Sequence, residues 1–577
     1  MIAITARTPT CARLRVISSS AAARHLSSLP LSDDKDGKAV EGKAAATTAE
    51  CPFKQTLKKV PTLPFVGSMI PQHSGVPIFT FETQYSFNNE MRKRFGNFSM
   101  YGMPGFGNGI RGLMYTIYDP TEMAKIVRSE GAYPSGVVEK LWQWRRAMKE
   151  SGSLLVTEKK KESGSADAAE GETHSYGLFD KGDTWKRHRT FLQTGMLDPK
   201  AAKGFLPGII SAATVASRVA PQHADNINDF LNYTAFDMFS SFMFGAQLQT
   251  TATIVSSDPT IRERNAENEK FVNAAIGVFA KTNEMNLYPQ EYLMAKYLPF
   301  FKSARYSSLM DDWNTVREIG LKKMHDFITR HDADQLNENE RNSYLAGAIK
   351  RQRESNEITQ DEMVELCLIA LFVGVDTTSS VTAWNLMHLA MNEDCQEKLY
   401  DELSASLKEY GTLDANVLEK KASPYLHMCI RESHRATPAF TAAMWKSNSH
   451  KDVEVHGVTL PKGSMIQLGH ISYDPEYVED YNVFRPERWS ADEVKSRKGT
   501  KSEVLDHPFL RDPFSQGARR CPGSRVASNE ILAMISRMVL DWKISFAPGA
   551  EINSLEDVNY DSSPIKPNFP TMKFEAR

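Results

Sequence analysis

No run of 18 apolar residues occurs in this 577-residue chain, so no helix is expected to span a membrane. Cysteine is scarce. Cys11, Cys51, Cys367, Cys395, Cys429 and Cys521 are scattered without pairs at metal-ligand spacing, which argues against a zinc site or a disulfide framework. Nor is there an excess of charge of one sign: a formal net charge of −2 gives no global case for nucleic-acid binding. Acidic residues are missing from positions 1–30, which carry Arg7, Arg13, Arg15 and Arg24 among Ala, Ser and Thr. That is the composition of an organelle transit peptide, with a disordered basic tail as the alternative. Residues 1–26 are read as the leader and 27–57 as a disordered linker. Folding is then expected over 58–577, enough chain for one very large domain.

The stretch Phe514-Ser-Gln-Gly-Ala-Arg-Arg-Cys521-Pro-Gly523 stands immediately before Ser524–Leu540, whose apolar residues recur at helical spacing. A thiol at a helix N-terminus is stabilised as thiolate by unpaired N–H groups and the dipole, and a thiolate can ligate iron. Gly517 and Gly523 let backbone approach the sulfur closely, and Arg519 suits an acidic group. A buried free Cys in a glycine-bearing turn is the plain alternative.

Phe514, Gly517, Arg519, Cys521 and Gly523 fill every specified position of Phe-x-x-Gly-x-Arg-x-Cys-x-Gly, the haem-binding signature of the cytochrome P-450 family, which this loop resembles. The resemblance implies a mainly α fold with small β-sheets and one haem b, with Cys521 as iron ligand. Other segments are similar to the family. Thr359-Gln-Asp-Glu362 is a capping box opening an apolar helix that turns polar at Gly374-Val-Asp376-Thr377-Thr378. Gly and an acid in mid-helix lower its stability, and the segment reads as a functional kink. In the family's motif Gly374 makes room for dioxygen, Thr377 hydrogen-bonds it and Asp376 relays protons, with Val373 bulkier than usual. Back-bonding of Thr377 and Thr378 to the preceding turn is the alternative.

Trp185 and Arg189 share one helix face, a spacing that a surface cation over an indole would also give. The resemblance points both at a haem propionate, with Lys446 the nearest cation for the second. Glu432, Arg435 and Arg488 match the family's Glu-x-x-Arg and Pro-x-Arg elements and are expected to form a buried network beneath the haem. The mitochondrial branch is the most similar, through Ser129–Pro134, Trp142, Arg145, Phe271–Met285 and Asp312-Trp313. Arg24-His-Leu26-Ser27 resembles a mitochondrial processing site, with plastid as the alternative destination. The implied activity is hydroxylation of a small hydrophobic, sterol- or lipid-like substrate with dioxygen, on the matrix side. Electrons would come from a ferredoxin and its reductase, docked by Lys420, Lys421, Arg431 and Arg520, with His427 where that branch often has Lys. A haem-thiolate isomerase or dehydratase acting on a hydroperoxide and a non-enzymatic haem sensor are the rivals; neither needs Asp376-Thr377. Residues 157–176 read as a charged insertion loop, 286–301 as a segment able to lie peripherally in a membrane interface, and Gly457–Gly463 and Pro567–Arg577 as hairpins.

Overall fold

The computed structural model describes residues 56–61, 84–103, 112–134, 155–157, 173–175, 178, 182–287, 291, 303–437, 445–448, 451–469, 471, 474–550, 552–562 and 565–577. The leader, most of the linker, Trp142, Arg145, the body of the insertion and nearly all of 288–301 lie outside them.

The strands are β1 (Lys58–Lys59), β2 (Phe98–Met103), β3 (Gly112–Ile117), β4 (Leu155–Thr157), β5 (Thr173–Ser175), β6 (Trp445–Ser447), β7 (Val453–Val455), β8 (Val458–Leu460), β9 (Met465–Leu468), β10 (Trp542–Phe546), β11 (Tyr560–Ser562), β12 (Ile565–Pro567) and β13 (Met572–Ala576). Five of them form a sheet in the order β1-β2-β3-β9-β6, in which β9 pairs in parallel with β3, Met114 opposite Met465. The helices that matter to the site are α1 (Pro120–Ser129), α2 (Gly182–Met196), α3 (Pro199–Val219), α4 (Ile227–Phe244), α5 (Pro259–Leu287), α6 (Ala304–Asp332), α7 (Gln360–Met391), α8 (Pro424–Ala436) and α9 (Ser524–Asp541). The fold is mainly α with small sheets.

Helix α7 is the axis. Its start is set by the capping box: the Glu362 N–H donates to Thr359 Oγ1 at 3.1 Å, and the Thr359 N–H donates back to Glu362 Oε2 at 2.7 Å. Past that first turn buried residues lie on nearly every side, the pattern of a core helix. By length and composition it could cross a membrane, yet most of it is enclosed by protein. It packs against α4, α6, α9 and the β11–β12 hairpin. Aromatic rings lock it to its neighbours: Phe372 stacks on Phe279 of α5 at 4.7 Å and meets Trp313 of α6 edge-on at 5.7 Å. Such ring pairs add about 0.5–1.5 kcal/mol beyond the area they bury.

Three expectations need correction. The helix runs unbroken through Gly374–Thr378 rather than kinking there, because each polar side chain finds a partner. The base of the 157–176 segment is not loop: β4 and β5 pair antiparallel, Thr157 opposite Thr173. The terminal residues form no hairpin of their own, since β13 returns to pair with β10, Trp542 opposite Ala576.

Candidate haem-thiolate site

The Cys521 loop is shaped by two left-handed residues, Ser515 (φ +66°) and Gly517 (φ +89°). At Gly517 a side chain is excluded twice over: a Cβ would lie 2.6 Å from Glu130 Oε2 and 2.8 Å from Val127 Cγ1. The Cys521 N–H closes the loop by donating to the Phe514 carbonyl at 2.9 Å. Helix α9 begins at Ser524 with Gly523 as its cap, and no side chain supplies the cap bond. The Cys521 sulfur accepts the Gly523 N–H, and Arg189 and Arg520 stand near enough to favour its thiolate. Burial outweighs them and holds the thiol above its ordinary range. A cation on the sulfur would reverse that balance, since coordination deprotonates a thiol outright. Among the described cysteines, Cys367, Cys395 and Cys429 are buried and Cys521 is half-buried.

Helix α2 is tied to the start of α7, where Arg187 donates to Glu362 Oε1 at 2.8 Å and His188 Nε2 lies 3.0 Å from the same oxygen. This fixes Trp185 and Arg189, both buried. The Arg519 guanidinium lies 4.4 Å over the Trp185 ring and donates to the carbonyls of Pro134 (2.8 Å) and Leu178 (3.3 Å). Arg189 donates to Gln193 Oε1 at 3.0 Å. Lys446 is buried and donates to the Gln516 carbonyl at 2.6 Å and to Ser515 Oγ at 3.2 Å. Its amine also stands 3.8 Å from Glu130 Oε1. Burial raises the Glu130 pKa, against the pull of Lys446 and Arg519. Three cations thus converge beside the loop, which suits a cofactor carrying two carboxylates.

In α7, Ala370, Val373, Gly374, Thr377 and Val381 are only half-buried in an otherwise enclosed helix. Their offsets of 0, 3, 4, 7 and 11 place them on one face. The half-buried Cys521-Pro522-Gly523 turn, this apolar face and the cations fit a flat, dianionic macrocycle held by a thiolate. Thr377 Oγ1 donates to the Val373 carbonyl at 2.9 Å. A Cβ at Gly374 would run into the Phe239 ring edge, so the space opened by this glycine is taken by that ring of α4 rather than left for dioxygen. Asp376 turns away from the half-open face and pairs with Lys566 of β12, both buried; Lys566 also donates to Asn232 Oδ1 at 2.6 Å. Thr378 donates to Glu530 Oε2 of α9 at 3.0 Å.

Glu432 is the hub of a buried network. Its Oε1 accepts from Arg435 Nε at 2.7 Å, from the Arg485 N–H at 3.1 Å and from Arg488 Nε at 3.3 Å, and its Oε2 accepts from Trp489 Nε1 at 2.9 Å. With Arg488 Nη1 on Asp480 Oδ1 at 2.6 Å, every charge here has a partner, as burial requires.

One expectation about docking cations is overturned. Arg431 is 7% exposed, with its guanidinium 4.0 Å over Trp489 and Nη2 3.5 Å from Asp506 Oδ1, so its charge is covered and cannot meet a partner. Arg520 is held by Asp512 Oδ2 at 2.8 Å. His427 Nε2 is occupied at 2.9 Å from the Leu418 carbonyl. Lys420 and Lys421 remain exposed.

Glu130, Lys566, Asn232 and Glu530 escaped the reading of the sequence. Glu530 alone gave a signal there, an acid in the apolar stretch nine residues after Cys521.

A mainly α chain with a half-open glycine-bearing helix and a cysteine loop at a helix N-terminus has the build of a haem-thiolate enzyme. The family model described as Cytochrome P450 matches residues 131–569, and the chain belongs to that family. It is a haem-dependent monooxygenase. Among its relatives is "Sterol 26-hydroxylase, mitochondrial" of Rattus norvegicus, 24% identical over 449 residues, 76% of this chain and 75% of the rat protein. "Cholesterol side-chain cleavage enzyme, mitochondrial" of Capra hircus is 24% identical over 405 residues, 68% of this chain and 71% of that one. "Cytochrome P450 3A5" of Homo sapiens is 34% identical over 206 residues, 35% of this chain and 38% of the human protein.

Proposed function

We propose that this monooxygenase hydroxylates a hydrophobic, sterol- or lipid-like substrate in the mitochondrion, on the matrix side, with electrons from a small acidic ferredoxin and its reductase. Its catalytic domain is 58–577 and its cofactor haem b. The observation that carries the chemistry is the half-open face of α7, on which Thr377 stands while its chain neighbour Asp376 is buried against Lys566. Haem, when bound, supplies the activation of dioxygen, one atom of which enters the substrate while the other leaves as water. The chain's own residues do the rest. Cys521 would hold the metal, and Trp185, Arg189, Arg519 and Lys446 would anchor the propionates. Thr377, whose hydroxyl now donates to the Val373 carbonyl, would be the proton donor on the half-open face, and Asp376 would exchange protons from the Lys566 side. Val373 and Ala370 keep the substrate side apolar and exclude water.

The sterol- or lipid-like class is supported by that apolar face and by the names of the rat and goat relatives; the ferredoxin is supported by the exposed pair Lys420 and Lys421. Turnover reconstituted with ferredoxin and its reductase should exceed that with a diflavin reductase, and should fall as salt shortens the Debye length to about 8 Å and below. The double variant Lys420→Glu, Lys421→Glu should lose most ferredoxin-supported turnover while its haem spectrum stays unchanged. Turnover with the diflavin partner alone, or an unaffected double variant, would refute the docking. A screen for substrate-induced shifts of the haem spectrum identifies the substrate.

A further inference from the structure

The β7–β8 connection is a two-residue turn at His456 (φ +47°) and Gly457 (φ +77°). A left-handed φ is unusual for a residue that is not glycine. At His456 it aims the ring inward: the side chain is 5% exposed, with Nε2 3.6 Å from Asp119 Oδ2 and Nδ1 4.0 Å from Glu122 Oε1. Asp119 caps α1 through its other oxygen, which accepts the Thr121 N–H at 2.8 Å, and Glu122 stands in the first turn of that helix. One donor atom from each of the three residues lies within 4.8 Å of the others. His456 Nε2, which faces Asp119, has no hydrogen-bond partner, and neither has the buried Glu122 Oε2.

We propose that Asp119, Glu122 and His456 bind a zinc ion that clamps the β7–β8 turn to the start of α1. Two donors on a tetrahedral zinc with bonds of about 2.1 Å stand about 3.4 Å apart, and one atom from each residue already lies within 4.8 Å of the others, so one imidazole nitrogen and the two carboxylates reach a single ion with a closure of about 1.4 Å at most. Two carboxylates balance the ion's charge, and the imidazole favours zinc over magnesium or calcium. A bare imidazolium pair explains less: 3.6 Å is beyond a hydrogen bond, and Glu122 Oε2 would still have no partner. Lys125 now donates to Glu122 Oε1 at 2.6 Å, but its side chain is half exposed and free to turn into solvent when the ion enters. The scattered cysteines speak only against a sulfur site, and this one uses none. Helix α1 leads at its far end to Glu130, which lies against Gly517, so the clamp would steady the helix that buttresses the Cys521 loop.

The test uses the haem-loaded full chain, prepared without a histidine tag, washed with chelator and titrated with Zn2+, with Mg2+ as control. The expected result is one tightly held zinc per chain, no comparable uptake of Mg2+, and a zinc-edge absorption spectrum with one imidazole, oxygen donors and no sulfur. Asp119→Asn preserves the cap and His456→Asn tolerates the left-handed φ. Each should weaken zinc binding at least about tenfold and abolish the rise in Tm that zinc gives the unaltered protein, whereas Lys125→Ala should strengthen binding. Absence of zinc uptake, sulfur in the zinc shell, or unchanged affinity in both weakening variants would overturn the proposal.

Discussion

Replacing Lys566 by Met should unbalance the polar centre of α7 more than any other single change nearby. Lys566 is 8% exposed and Asp376 2%. The amine serves two acceptors, the Asp376 carboxylate and Asn232 Oδ1, and only the second has another donor, Ser379 Oγ at 2.7 Å. Met fills the same space without charge, so the loss is electrostatic rather than a cavity. Removing one partner of a buried ion pair costs about 3–5 kcal/mol while the remaining charge persists. Burial already raises the Asp376 pKa, and Lys566 is what pulls it back. Without Lys566 the pKa rises further, and the native state holds a proton that the unfolded chain, with an ordinary value of 3.8, has released. Stability of a carboxyl shifted this way falls as pH rises from about 4 through its folded pKa. The variant's deficit should therefore be largest near pH 8 and shrink as the pH falls.

Asp376→Asn keeps a carbonyl oxygen for Lys566 and should cost less, about 1–2 kcal/mol. The double variant should fall short of the sum of the two losses by at least about 1.5 kcal/mol. Denaturant unfolding of the haem-loaded proteins at several pH values measures all three terms. A loss under about 0.5 kcal/mol for Lys566→Met, or the same loss at every pH, would refute the reading of Lys566 as the counter-ion of Asp376.

Cys521→His should abolish the thiolate-type band of the reduced carbonyl complex, and a band kept at its normal position would sink the axial assignment. Thr377→Ala removes a hydroxyl from a half-buried position, so haem incorporation should be intact while reducing equivalents are diverted to hydrogen peroxide. Unchanged coupling of electron use to product would contradict its role.

What the sequence made legible was local. The Thr359–Glu362 box, the Asp119 cap and the helix after Cys521 are each written in residues a few positions apart, where spacing alone defines geometry. The misjudged features depend on contacts from far along the chain. Gly374–Thr378 looked like a kink because its polar groups had no visible partners; one partner, Lys566, arrives 190 residues later from β12. Arg431 looked available for docking because helical spacing does not say which face is covered, and the cover is Trp489 with Asp506, 3.5 Å from Arg431 Nη2. Glu130 was read only as part of a family string, although its carboxylate is what forbids a side chain at Gly517.

Successive residues of a helix point about 100° apart, so Asp376, Thr377 and Thr378 must face three directions. Asp376 faces β12 and α4, Thr378 faces α9 behind the Cys521 loop, and Thr377 is left on the half-open face. The two flanking bonds set the rotation of α7 that presents Thr377. Glu530, which holds Thr378, has its pKa pushed up to about 8 by burial, only partly offset by that hydroxyl, so at pH 7 it is mostly the neutral acid. Its folded pKa lies above the unfolded value of 4.5, so the native state retains a proton the unfolded chain has lost. Stability must then fall as pH rises from about 4.5 through 8, by a few kcal/mol in all if the whole shift is expressed. Glu530→Gln keeps the shape and an acceptor for Thr378 but cannot titrate; it should match the unaltered protein near pH 5 and be the more stable of the two at pH 9. Equal slopes of stability against pH in the two proteins would mean that Glu530 is ionised throughout and that the Thr378 bond is one between a hydroxyl and a carboxylate.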